Sequence, residues 1–210
     1  KGVVEFVAHT GMTYTPTMLV AYGGPGAENY FYAKENAYHD EKLQRFTPYE
    51  ELAGKARRRG AGWFMDEEYN FPRLAEVVAD IVNAGGKAGV GSHGQLQGLG
   101  YHWELWAMQS GGLSEHQALR VATLFGAEAI GVQNDLGSIE PGKLADLVIF
   151  EQNPLDNIRN TNTIQMVMKN GRLYDGNNLD ELWPRQRELG PVYGLGDRPI
   201  RTGGEREGAR

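Results

Sequence analysis

Cysteine is absent from the 210 residues. That removes disulfides, thiolate nucleophiles and cysteine-based zinc sites together, and leaves the compartment, cytoplasmic or exported to the periplasm, undecided. No run of about 18 apolar residues occurs, so no membrane span is expected. The opening KGVVEFVAHTG has no charged start, apolar middle and small-residue cleavage site of a secretory signal. It also lacks an initiator Met, and Val3, Val4, Phe6 and Val7 follow a helical apolar pattern before Gly11. The chain is therefore expected to be a piece of a longer polypeptide. Positive charge is in short supply as well. Lys and Arg total 21 against 27 Asp and Glu, a net charge of -6, which argues against nucleic acid or an anionic membrane as partner. The one basic cluster, Arg57-Arg58-Arg59, reads as a solvated helix end near Gly60.

What is present is enough apolar residue content for a buried core, in one domain or two small ones. Thr13 to Ala21 (TYTPTMLVA) reads as a short buried strand, with Pro16 unable to donate to a ladder. From Gly24 to Asn70 an aromatic and charged stretch has only weak helical periodicity, over Glu50 to Arg59. Its length suits a lid or binding loop, or a surface insertion packed by its own aromatics. Phe71, Leu74, Val77, Val78, Ile81 and Val82 recur at helical spacing, with Pro72 in the first turn and Gly85-Gly86 as the stop. A short apolar piece from Lys87 to Ser92 follows, then a glycine-rich loop and a helix from about His102 to Gln109. Ser114 and Gln117 form a capping box for a helix running to Phe125. This alternation belongs to a parallel α/β sheet or barrel. After Gly131 strands take over: Ala145 to Phe150, Thr163 to Lys169 and Arg172 to Tyr174, the last two joined across Asn170-Gly171, a strong hairpin signal. Gly194 to Arg210 is Gly-rich and charged and is expected to be disordered.

Several motifs imitate known chemistry. Gly89, Gly91 and Gly94 satisfy GxGxxG, but they punctuate a strand that a helix precedes, and the acidic residue expected about 20 positions on is at best Glu115. A nucleotide-binding α/β domain is kept only as a rival reading. GSIEPGKL (137 to 144) imitates a phosphate-binding loop, yet Leu144 replaces the hydroxyl needed for magnesium and a strand follows. Ser92 lacks the nucleophile-elbow pattern because Val90 stands where glycine is required. The histidines, His9, His39, His93, His102 and His116, contain no HxH or HExxH pair. His9, His39 and His116 read as structural or exposed. Taken alone, His93 in GVGSHGQLQGLG (89 to 100) reads as a loop histidine hydrogen-bonded to backbone.

The order of segments says more. VGSHG, then His102-Trp103-Glu104-Leu105, SGGLSEHQALRVAT (110 to 123), GAEAIG (126 to 131) and LGSIEPGKLADLVIFEQNPLDNI (136 to 158) resemble the C-terminal part of the amidohydrolase superfamily, in its imidazolonepropionase-like branch. The likeness covers roughly Thr13 to Tyr174. It implies an α/β chain: residues 1-131 as the C-terminal part of a metal-dependent hydrolase (β/α)8 barrel (strands 7-8 and helices), 132-175 as strands of a small β-sandwich, and 176-210 as a largely disordered C-terminal extension. Thr15-Pro16-Thr17-Met18-Leu19 resembles the seventh barrel strand, and His93 closes the eighth, at the strand end where such barrels keep catalytic groups.

Family members place an aspartate there, which binds metal and accepts a proton from the attacking water. An imidazole can ligate a metal or act as a base near neutral pH. The resemblance thus makes His93 the catalytic and metal-proximal residue, with Gln95 and His102 contacting substrate and the segment from Gly24 to Asn70 lying over the mouth. The implied cofactor is a divalent metal, with zinc expected. Its remaining ligands would come from strands one, four, five and six, which this chain does not contain, a whole barrel needing about 250 residues. The implied partners are a small-molecule or peptide-like substrate, the missing N-terminal barrel half and, through open sheet edges, a homo-oligomer. The reading is a fragment of a hydrolase that cleaves amide or cyclic amide C-N bonds with metal-activated water, inactive by itself. The rival is a non-catalytic pseudoenzyme barrel serving as a binding or scaffold module, motivated by histidine in place of aspartate.

Overall fold

A parallel strand pair and an antiparallel sheet are both tied to one helical layer in the computed structural model. It describes residues 2–21, 24–59 and 64–192, with the side chains of 57–59, and so the arginine cluster, outside the description. Helix α1 (Gly2–His9) leads to strand β1 (Thr13–Tyr14), and α5 (Phe71–Asn83) leads to β2 (Lys87–Ala88). The strands run parallel, Thr13 opposite Lys87 and Tyr14 opposite Ala88. Contact continues past them, since Gly89 N donates to Tyr14 O at 3.0 Å and Gly91 N to Pro16 O at 3.1 Å.

The strand expected through Ala21 ends at Tyr14. Pro16 has no N–H to give, Ala21 N turns back to Met18 O at 3.0 Å, and the N–H groups of Met18 and Leu19 go to a side chain instead of a ladder. Helix α5 forms over the span its periodicity predicts, but its buried face is rotated from the expected stripe, since Leu74 and Val77 are exposed while Ala75 and Ala79 are buried. Pro72 sits in its first turn, Phe71, Ala75, Val78, Ala79 and Ile81 are buried, and it packs on α1 and on α6 (Leu99–Gln109). Helix α6 begins three residues before His102, because Gly100 N already donates to Leu96 O at 2.8 Å.

The stretch from Gly24 to Asn70 is not an open loop. It holds α2 (Ala27–Lys34), α3 (Glu41–Phe46), α4 (Tyr49–Arg59) and 3-10 turns at Ala37–His39 and Asp66–Glu68. Its aromatics enter the core. Phe31 stacks on Trp103 with ring centroids 5.6 Å apart, Tyr32 meets the same indole edge-on at 5.0 Å, and Tyr30 lies 5.3 Å from both Tyr69 and Phe71. Burying Phe31 and Trp103 is worth roughly 2–3 kcal/mol each, which is how short helices without strong amphipathic stripes persist.

The Ser114–Gln117 capping box is present in α7 (Glu115–Ala122), Gln117 N reaching Ser114 Oγ at 3.3 Å and Ser114 N reaching Gln117 Oε1 at 2.9 Å. The helix does not continue to Phe125. It breaks at Thr123, whose hydroxyl donates back to Leu119 O at 2.7 Å, and α8 (Leu124–Ala129) follows.

Beyond lie β3 (Leu147–Phe150), β4 (Ile164–Lys169), β5 (Arg172–Asp175) and β6 (Glu181–Trp183), one four-stranded antiparallel sheet in sequence order. Asn170 and Gly171 have φ of 49° and 73°, the two positive values that a tight twisted hairpin demands. Three of the strands expected to contribute to a small β-sandwich lie in this sheet, β3, β4 and β5. Strand β6 lies inside the expected tail, and Glu181 and Arg187 exchange backbone bonds at 2.8 and 2.9 Å. Gly194 to Arg210 lies outside the described residues. The sheet is stitched to the helices by Lys42 Nζ to Ile164 O at 2.8 Å and by Trp106 Nε1 to Ile158 O at 3.2 Å.

Candidate functional site

The loop from β2 into α6 is held by close backbone approach. A Cβ on Gly91 would sit 2.5 Å from Pro16 O and 2.8 Å from Thr15 O, so the ends of the parallel strands touch only because that residue has no side chain. Thr17 Oγ1 also donates to Gly91 O. Further on, Gly94 and Gly100 press together, a Cβ on the first falling 2.3 Å from the Cα of the second. This contact folds the loop back on the start of α6, with Leu96 buried beneath.

His93 is exposed at the crest, and its ring makes no hydrogen bond among the described residues. Among the described residues the backbone hydrogen bond expected of a loop histidine is therefore not formed. Gln95, two residues on, is pinned at both ends of its peptide. Its N–H donates to Glu28 Oε1 at 3.1 Å, and its C=O accepts from Lys55 Nζ at 2.5 Å. Its amide side chain makes no hydrogen bond among the described residues. His102 is elsewhere. Its Nδ1 lies 3.1 Å from Thr161 Oγ1, in the turn Ile158–Asn162 that leads into the sheet. Burial, aided by the Lys42 charge and opposed by Asp40, pushes its imidazole down to about 4, so this ring is neutral at physiological pH. The structure therefore brings His93 and Gln95 together in one loop and sets His102 against the sheet side of α6.

Three residues that sequence reasoning passed over hold this loop. Glu104 is fully buried, and its carboxylate accepts the N–H of Met18 and, at 3.2 Å, of Leu19. Burial pushes it up to about 7 against the downward pull of those two donors. Its signal was a lone carboxylate between Trp103 and Leu105 in LGYHWELWAMQ, a helix with both flanks apolar. Glu28 is buried in the first turn of α2, and Lys55 comes from α4. Both belong to the segment expected to lie over the mouth, and both touch the loop directly through Gln95.

Among the described residues no group of three or more His, Asp or Glu side chains comes together to hold a metal. Among the described residues the loop offers an ion the imidazole of His93 and no second ligand beside it, which by itself does not fit one.

Comparison with known proteins covers most of the chain. The sequence model of the Amidohydrolase family matches residues 3–174. A 5-methylthioadenosine/S-adenosylhomocysteine deaminase of Teredinibacter turnerae is 40% identical over 62 residues, covering 30% of this chain and 14% of its own. A guanine deaminase of Escherichia coli is 36% identical over 76 residues, 35% of this chain and 17% of its own. An imidazolonepropionase of Shouchella clausii is 35% identical over 92 residues, 42% of this chain and 21% of its own. Among solved structures, a Xaa-Pro dipeptidase with bound methionine in the active site superposes with a TM-score of 0.53 at 25% identity, over 83% of this chain and 37% of that one. A prolidase complexed with N-methylphosphonate-L-proline gives 0.50 at 24% identity, again over 83% and 37%, a likeness of fold. The chain thus spans between 14% and 21% of these curated relatives.

Proposed function

The chain belongs to the amidohydrolase family, and on that footing we propose that it is the C-terminal part of a hydrolase cleaving C-N bonds of amides, cyclic amides or related small molecules, with His93 as its proton-transfer residue. In this reading β1 and β2 are the last two strands of a (β/α)8 barrel. The observation that carries it is the place of His93: exposed, free of hydrogen bonds among the described residues, on the loop leaving the C-terminal end of parallel strand β2. Support also comes from relatives named as deaminases and a neighbour named as a dipeptidase, reactions that break a carbon-nitrogen bond.

The chemistry asked of His93 is modest and balanced. Its imidazole takes a proton as water adds to the electrophilic carbon and the C-O bond forms. It returns that proton to the leaving nitrogen as the C-N bond breaks, and ends neutral. Such transfer is worth about 10²–10⁴-fold in rate. The family generally uses a divalent metal, and zinc remains the expectation, but a single imidazole from this chain is no site. Its other ligands would have to come from earlier barrel strands, and the role of His93 is argued from proton transfer alone. Gln95 Nε2 and Oε1, uncommitted beside His93, are the nearest groups for a substrate amide.

The test uses the longer polypeptide that this reading requires. Ammonia or amine release is measured across amides, cyclic amides and X-Pro dipeptides, together with metal content. The expected result is hydrolysis of at least one class, with His93→Ala losing about 10²-fold or more in kcat/KM at unchanged stability. No hydrolysis and no stoichiometric metal in the wild type refutes the reading in favour of a non-catalytic barrel. Full activity in His93→Ala removes His93 from it.

A further inference from the structure

Hydrogen bonds close a ring around the His93 loop. Glu104 of α6 takes the N–H groups of Met18 and Leu19. Leu19 O takes the N–H of Glu28 at 3.1 Å, and the Glu28 carboxylate takes that of Gln95 at 3.1 Å. From Gln95 the chain runs through buried Leu96 back into α6, completing the circuit. Lys55 closes the other side of Gln95, donating to its C=O at 2.5 Å while paired with Glu51 at 2.5 Å.

We propose that Glu28 and Lys55 are the positioning residues of His93: by holding both backbone groups of Gln95, two residues away, they fix the loop backbone from which an imidazole that nothing else among the described residues holds projects. Three observations carry this. Glu28 is 4% exposed, and a carboxylate taken out of water is kept there by the donors aimed at it. The ring of His93 makes no hydrogen bond among the described residues, so its backbone is what sets the point and the Cα–Cβ direction from which the ring projects. The loop has no slack on its far side, where Gly94 meets Gly100. The two helices that supply the clamp belong to the segment between β1 and α5, which thereby becomes part of the active-site machinery without itself touching the reacting atoms. The inference rests on the proposed function for the work it gives His93, but the clamp is measurable without substrate.

The experiment is NMR of this chain with amide hydrogen exchange, on wild type, Glu28→Ala, Glu28→Gln and Lys55→Met. In Glu28→Ala the Gln95 amide is expected to exchange about tenfold faster, the loss of one hydrogen bond, and the His93 ring resonances to move toward random-coil positions. Amides of Val78 in α5 and Val167 in β4 keep their protection. Glu28→Gln, which retains a C=O acceptor, restores most of the wild-type behaviour. In a longer polypeptide that hydrolyses, Glu28→Ala lowers kcat about tenfold with KM within about twofold. Unchanged His93 resonances and Gln95 exchange in Glu28→Ala overturn the inference, as does loss that spreads equally to Val78 and Val167 in a folded variant. If Glu28→Ala does not fold, Lys55→Met decides: a shifted His93 ring supports the clamp, and an unmoved one overturns it. A chain that hydrolyses nothing while the clamp behaves as stated counts against the proposed function and leaves the clamp standing.

Discussion

Glu104→Gln tests the buried carboxylate behind the strand ends. The side chain is 0% exposed and accepts two backbone N–H groups, and burial carries its carboxyl from the ordinary 4.5 to about 7. Each pH unit of difference between folded and unfolded chain is worth 1.36 kcal/mol, so the whole displacement amounts to about 3 kcal/mol. Because the folded value is the higher one, the native chain holds this proton over a window in which the unfolded chain has released it. The contribution is therefore complete below 4.5 and is lost as the pH rises through about 7. Glutamine keeps the shape and one acceptor oxygen but has no proton to lose. The assay is urea unfolding by circular dichroism at constant ionic strength, at pH values from about 4.5 to 7.5, reported as wild type minus variant. That difference is expected to shrink by about 3 kcal/mol across the range. His102 titrates in the opposite sense, but it is present in both proteins and cancels. A difference constant to within about 0.5 kcal/mol, or one that grows with pH, refutes the account of Glu104.

His102→Gln probes the opposite sign. The folded imidazole is pushed down to about 4 from 6.5, so its contribution is present above 6.5 and lost as the pH falls through about 4. The wild type is expected to lose about 2 kcal/mol on acidification, after allowance for a half-buried ring, that the variant does not lose; melting temperatures at neutral and acid pH check this. Gly91→Ala is expected to cost about 2–4 kcal/mol, because its Cβ meets the backbone oxygens of Thr15 and Pro16. Gly26→Ala, with an ordinary φ of -56° and nothing within 4 Å of its Cβ, is expected to change stability by less than about 0.5 kcal/mol. Equal thermal shifts for the two glycine variants would show that the strand-end contact is not tight.

Helix α5 and the Asn170-Gly171 hairpin were legible because each is specified locally: a stripe of six apolar residues ended by glycines, and a dipeptide whose positive φ values few other residues adopt. The segment from Gly24 to Asn70 was not legible. Its helices are short, and what stabilises them is the burial of Phe31 and Tyr32 against Trp103, more than seventy residues away. The site divides in the same way. His93 stood out as an ionisable group among glycines. Glu104 serves N–H groups 86 and 85 residues earlier, Glu28 a residue 67 away, and Lys55 one 40 away, separations that no local pattern encodes. Strand β6 escaped because GNNLDELWP has turn residues on both flanks and the strand is only three residues long.

The Gly94–Gly100 contact divides the loop into positions open to variation and positions closed to it. Any side chain at 94 or 100 would collide with backbone, Gly91 is barred by Thr15 and Pro16, and Leu96 is locked in the interior. Ser92, His93 and Gln97 face outward. A saturation library aimed at new substrate preferences should therefore randomise 92 and 97 together and leave His93 and the glycines alone, since diversity spent on His93 removes the proposed proton-transfer group and diversity spent on the glycines returns misfolded clones.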